Sequence, residues 1–205
     1  MKMFHFMAAI VVSAIVASPI FAQVKDNGYF DLKFGATFEG SSDYNTNNNA
    51  TWGSTFPYLL DFTAGYLFPK PKISLFTVQQ FSFDSPDTNE RLLNYSAFLG
   101  LGKTIKVYYS LWNIYGLIGY SRDNILFETA NSTEINTGYC VYGIGTDMYL
   151  KFLPYADLVI TYRFCITSAK EVTVNNNYIV CQYHAANYRN DFAVGLCFGK
   201  MCSKH

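Results

Sequence analysis

Charge of one sign is what this chain lacks first: Lys and Arg number 15, Asp and Glu number 15, and the formal net charge is zero. Without a basic field nothing draws a polyphosphate, so nucleic acid is excluded as a partner. Histidine is nearly absent, at 3 residues. No Walker loop, zinc-ligand spacing or dinucleotide fingerprint occurs, so no cofactor and no metal site are expected. Proline is scarce, at 6 residues. Beyond the amino-terminal stretch no apolar run reaches the roughly 20 residues that a membrane-spanning helix needs. The chain has aromatics instead, 17 Tyr and 18 Phe. Much aromatic surface with no such run suggests β-structure.

At the amino terminus Lys2 precedes an apolar stretch from about Phe4 to Val16, then Ser18, Pro19 and Ala22. A positive start, a hydrophobic segment of this length and a small residue read as a secretory signal peptide over residues 1–22, cut before Gln23. Ile20 at the third position before the cut is larger than such sites favour. One domain is then expected over residues 23–205.

The segment Tyr29 to Glu39 organises that domain. Phe30, Leu32, Phe34, Ala36 and Phe38 occupy one parity; Asp31, Lys33, Gly35, Thr37 and Glu39 occupy the other. Strand side chains alternate between faces, so one face is oily and the other charged or small. Similar alternation predicts eight strands, at residues 29–40, 56–68, 73–83, 92–102, 107–121, 138–150, 155–165 and 188–199. The third is ambiguous in register, because Phe76 and Val78 compete with Ile73 and Leu75. Polar loops are expected at 41–55, 84–90, 122–136 and 166–187, with tight turns between the other strand pairs.

Long and short connections therefore alternate, and this favours an eight-stranded antiparallel up-and-down transmembrane β-barrel over a secreted ligand-binding barrel. Volume argues the same way. An eight-stranded barrel is only wide enough for side chains to fill. The Phe, Tyr and Leu face is too bulky for that space, whereas Gly35, Gly65, Gly100, Gly143, Gly145 and Gly195 lie on the opposite parity. The oily face should meet lipid. Asp31, Lys33, Glu39, Asp61, Asp147, Asp157, Arg163 and Asp191 should then form a charge network in the lumen, with Arg189 near the outer rim. Isolated buried charge is costly, so Lys33 and Arg163 should each reach a carboxylate. The alternative role for these acids is to line a cation-conducting path. The turn end is basic, with Lys70, Lys72, Lys103, Lys106 and Lys151, and the loop end is mildly acidic.

Tyr115-Gly116-Leu117-Ile118-Gly119-Tyr120, Tyr142-Gly143-Ile144-Gly145-Thr146-Asp147-Met148-Tyr149, Thr161-Tyr162-Arg163-Phe164 and Phe192-Ala193-Val194-Gly195-Leu196-Cys197-Phe198 resemble the later strands of small outer-membrane β-barrel proteins, the OmpA-like and opacity-protein type. The resemblance implies a bacterial outer-membrane location, contact with outer-membrane lipid, and insertion by the barrel assembly machinery. It also implies a surface scaffold or adhesin whose four loops meet a host or envelope partner. The family usually ends on its terminal aromatic, whereas here seven residues follow Phe198.

Catalytic residues are not expected. Some barrels of this kind modify lipid A with a His and a Ser at the outer rim, but His184 has no Ser beside it in CQYHAANY. Asn49, Asn94 and Asn131 begin glycosylation triplets, read here as chance. Cys140, Cys165, Cys181, Cys197 and Cys202 make an odd set, and both Cys140–Cys165 and Cys165–Cys181 pairings stay open. Two function classes remain: a binding scaffold, and a passive structural or small-solute barrel.

Overall fold

The computed structural model describes residues 27–41, 58–87, 90–127, 133–168, 171–174, 177–178 and 187–199. The expected signal peptide, most of the loop at 41–55, Cys181, His184 and Cys202 lie outside the described residues. Among the described residues no helix is long and apolar enough to cross a membrane. The strands are β1 (Gly28–Ser41), β2 (Tyr58–Phe68), β3 (Ile73–Asp87), β4 (Glu90–Val107), β5 (Ser110–Phe127), β6 (Thr133–Lys151), β7 (Ala156–Thr167), β8 (Glu171–Val174), β9 (Asn177–Tyr178) and β10 (Asn187–Gly199). Eight of them pair in the ring β1-β2-β3-β4-β5-β6-β7-β10, closed by β10 on β1, and every pairing is antiparallel. Closure leaves the barrel wall without a free edge.

The period-two pattern of each strand sorts its side chains between two environments. On β1, Asp31, Lys33 and Thr37 are buried inside, whereas Phe34 and Phe38 are exposed outside, Phe34 to 63%. On β2, Leu59, Asp61, Thr63 and Leu67 are buried, and Tyr58 and Phe68 face out. The register of β3 is settled with Ser74, Phe76, Val78, Gln80 and Ser82 inward. Its outer face carries Leu75 and Phe83, but also Thr77 and Gln79.

Inward aromatics fit because glycines stand opposite them. A Cβ at Gly65 would meet the ring of Tyr29 and the Cβ of Phe76, one at Gly100 would meet the ring of Phe76, and one at Gly145 would meet that of Tyr115. Phe76 and Tyr115 then pack edge to face with centroids 4.9 Å apart.

Several strand limits differ from the sequence expectation. The turn expected at Gly102 to Lys106 is strand; β4 continues to Val107 and turns at Tyr108-Tyr109. Gly102 is there for space, since a Cβ would meet Asn113 Oδ1 and Ser74 Oγ in the lumen. The turn itself uses a left-handed Tyr108, with φ 52°. The loops expected at 84–90 and 122–136 are largely strand too, because β3 runs to Asp87 and β5 to Phe127. Within the stretch expected as one loop at 166–187, β8 pairs with β6 from Ile135 to Gly138 and β9 pairs with β8. The loop end thus has a raised sheet, β3 to β6 plus β8 and β9, continuing beyond the lower wall of β1 and β2.

Cys140 is exposed on the outer face of β6, whereas Cys165 and Cys197 are buried, and none of the three is disulfide-bonded. Opposite faces of the wall rule out the Cys140–Cys165 pairing that their shared height left open.

Candidate functional site: the charged lumen

Two cations enclose one carboxylate at mid-height. Asp61 of β2 accepts from Lys33 Nζ of β1 at 3.1 Å on Oδ1, and from Arg163 Nη1 of β7 on Oδ2. The same Oδ2 accepts from Gln80 Nε2 at 3.0 Å, and Thr63 Oγ1 donates to Oδ1 at 3.1 Å. Lys33 also lies 3.7 Å from Asp31. All these side chains are buried. The register makes this meeting possible, because Lys33 pairs directly with Asp61 across β1 and β2.

From Arg163 the bonds run toward the turn end. Its Nε donates to Tyr115 Oη at 2.9 Å, and Tyr115 Oη donates to Asp147 Oδ1 at 3.0 Å. Thr161 donates to the same Asp147 oxygen at 2.7 Å. Tyr149 Oη lies 3.2 Å from Asp31 Oδ2 and 3.4 Å from Asp147 Oδ2, and so stands between those two acids. Asp157 is buried lower down, where its backbone pairs with Cys197 and Lys151.

Toward the loop end the hub is Arg189 of β10. Its Nε donates to Asp191 at 2.7 Å, its Nη1 to Ser96 at 2.9 Å and to Asn94 at 3.2 Å, and its Nη2 to Gln80 Oε1 at 2.7 Å. Thr37 donates to Asp191 at 2.9 Å. Above it, Asn94 bonds Ser121 and Asp123, and Tyr139 donates to Asp123 at 2.9 Å. Gln80 joins the two layers, because its Nε2 also donates to Asp191 Oδ2 at 3.1 Å.

The structure therefore brings Asp31, Lys33, Asp61, Asp147, Arg163 and Asp191 into one lumen and puts Asp157 at its turn end. Arg189, expected near the outer rim, lies toward the loop end and is buried in the lumen there. The side chain of Glu39 lies outside the described residues. Sequence reasoning missed Gln80, Asn94, Tyr115, Tyr139 and Tyr149, the neutral groups that link the charges. Their signal was parity: Gln80 shares its face with Ser74 and Ser82, and Asn94 with Ser96. Asn94, first residue of a glycosylation triplet, is buried in the lumen.

Side chains from all eight barrel strands take part, so the network reads the register of the whole wall. A one-residue slip of any strand would carry its polar set to the outer face. Burial of an ion pair is a weak stabiliser, since desolvation opposes attraction, but losing one member strands the other in a dry interior. Among the described residues no group of three or more His, Cys, Asp or Glu is arranged to hold a metal ion. The arrangement binds the wall together from within.

No family model matches the chain, and no curated protein matches it either. Solved structures do. Neisserial surface protein A is similar with a TM-score of 0.61 at 13% identity, covering 83% of this chain and 96% of that one. Ail, the attachment invasion locus protein of Yersinia pestis, gives 0.55 at 13% identity over 84% and 99%. A major outer membrane protein of Thermus thermophilus gives 0.54 at 13% identity over 83% and 98%. At such identities the likeness is one of fold: the chain has the eight-stranded barrel fold of small outer-membrane proteins.

Proposed function

We propose that this chain is a bacterial outer-membrane protein, sealed to solutes, that presents its loop end as a non-catalytic binding scaffold of the adhesin type. The observation that carries the reading is the inverted distribution of side chains. Phe34, Leu99, Leu101, Ile118, Ile144 and Phe192 are exposed outside, while Lys33, Asp61, Arg163, Arg189 and Asp191 are buried within. A wall of that kind is matched to hydrocarbon, and its backbone groups are satisfied within the closed ring. The bonded lumen, with Asp61 held by both Lys33 and Arg163, supports a plug rather than a path.

The scaffold part of the reading is supported by the raised sheet of β3 to β6, β8 and β9 at the loop end. One of the structurally similar proteins is named for attachment and invasion. Outer-membrane fractionation with heat-modifiable gel migration tests the location. Planar-bilayer recording tests the plug, and steady large channels would contradict it. Replacing residues 169–186 of the loop expected at 166–187 by a short Gly-Ser turn should abolish partner binding and spare insertion; binding that survives the replacement favours a passive structural barrel instead.

A further inference from the structure

The turn end carries a surface that the sealed-barrel reading does not use. Lys70 and Lys72 lie in the β2–β3 turn, Lys103 and Lys106 in the β4–β5 hairpin, and Lys151 at the end of β6, all exposed. Residues 69–72, 101–112 and 151–155 contain no acidic residue, and Asp157 just beyond is buried in the lumen. The three connections form one face. Lys103 Nζ donates to Pro71 O at 2.7 Å and Thr104 N to Lys72 O at 2.8 Å, which fastens the hairpin to the first turn. Ser110 pairs with Leu150, which sets the hairpin tip beside the β6–β7 turn.

Among these lysines stand exposed rings: Tyr108 and Tyr109 at the tip, 88% and 89% exposed, and Phe152 and Tyr155 in the next turn. On β4 the outward side chains run Leu101, Lys103, Ile105 and Val107, so apolar groups continue past the first lysine row. A hydrated acidic polymer of the cell wall would match the charge but leave these rings in water. A phospholipid surface matches both, because rings settle at the headgroup level and ammonium groups meet phosphate.

We propose that the turn end is a docking surface for the phosphodiester headgroups of anionic phospholipid in the leaflet it faces, an inference that rests on the membrane-spanning reading above. Trp112 lies in this hairpin and can report it. In a W52F background, the full chain is inserted into phosphatidylcholine vesicles carrying either brominated phosphatidylglycerol or brominated phosphatidylcholine. Quenching of Trp112 should show the anionic lipid enriched at least about fivefold, the effect of one engaged lysine. Raising salt should reduce the enrichment. The variant K70Q/K72Q/K103Q/K106Q/K151Q should lose it, and five arginines at the same positions should restore it.

Equal quenching by the two lipids overturns the inference, and so does enrichment that survives in the glutamine variant. If the glutamine variant does not insert, the salt titration of the unsubstituted lysines decides, and a flat response is negative. Salt-sensitive capture on purified peptidoglycan without lipid preference is also negative. Failure of the membrane reading is recognisable separately, as a chain that enters neither vesicle and shows no heat-modifiable migration.

Discussion

The lumen and the outer wall are made from alternate residues of the same strands, yet they are held by different physics. Inside, Lys33, Asp61, Arg163, Gln80, Arg189 and Asp191 depend on named partners at fixed distances. Outside, Phe34, Leu99, Ile118 and Ile144 are exposed apolar side chains that need only an apolar surrounding. Interior positions should therefore be specific in what they tolerate, and exterior positions should be permissive within one chemical class. Substitutions that exchange the two requirements test that difference.

The largest effect is expected at Asp61. Asp61→Ala leaves Lys33 and Arg163 buried together without the carboxylate between them, and should cost about 3–5 kcal/mol. Urea unfolding in vesicles, followed by heat-modifiable migration, measures it. A loss no greater than that of an exposed outer residue would show the network to be incidental. On the outer wall, Ile144→Lys should come next. Ile144 pairs with Gly116 and Phe164 in the body of β6 and is 66% exposed. A lysine facing the hydrocarbon midplane costs about 2–4 kcal/mol in such barrels. Ile144→Leu should change little. If the lysine is tolerated as easily as the leucine, the wall does not face lipid.

A third substitution probes how tightly the lumen is filled. Gly100→Ala sets a methyl against the ring of Phe76, and overpacking of this kind costs about 1–3 kcal/mol. Combining it with Phe76→Leu should recover part of the loss, because the obstructing ring is gone. No recovery in the double variant would move the cause from crowding to the backbone of β4.

How much of this was legible in the sequence differs between the two faces. On β1 and β7 the charged residues all fall on one parity and most large aromatics on the other. Orientation can be read there from Phe34 against Asp31 or Tyr162 against Arg163, although Val159 shares the inward parity of β7. On β3 the parities do not separate, because Phe76 and Val78 point inward while Thr77 and Gln79 point outward. The inward rings are admitted by glycines on neighbouring strands, which is a property of register and not of local composition. Gly102 misled for the same reason: glycine beside Lys103 reads as a turn, but here it makes room for Asn113. The charged residues of the lumen stand out by type. Their linkage does not, since Gln80 meets Arg189 from 109 positions away and gains its role only once all eight strands are aligned.

The smallest effect should fall on polar pairs of the outer face, and there the comparison is sharpest. Tyr162 Oη donates to Asn190 Oδ1 at 2.9 Å between β7 and β10, and both side chains lie on the outward parity. The bond is as short as several inside the lumen, so length alone does not separate the two settings. Tyr162 is exposed, however, and Asn190 neighbours Tyr188 toward the loop end, where headgroups and water can replace a lost partner. Tyr162→Phe should therefore cost about 1 kcal/mol or less. In a double-mutant cycle with Asn190→Ala, the coupling should stay small beside the Arg163–Asp61 coupling measured in the same vesicles. A coupling at Tyr162 and Asn190 equal to that of the buried pair would mean that water and headgroups do not reach this height, and that the hydrocarbon band extends farther up β7 and β10 than their side chains imply.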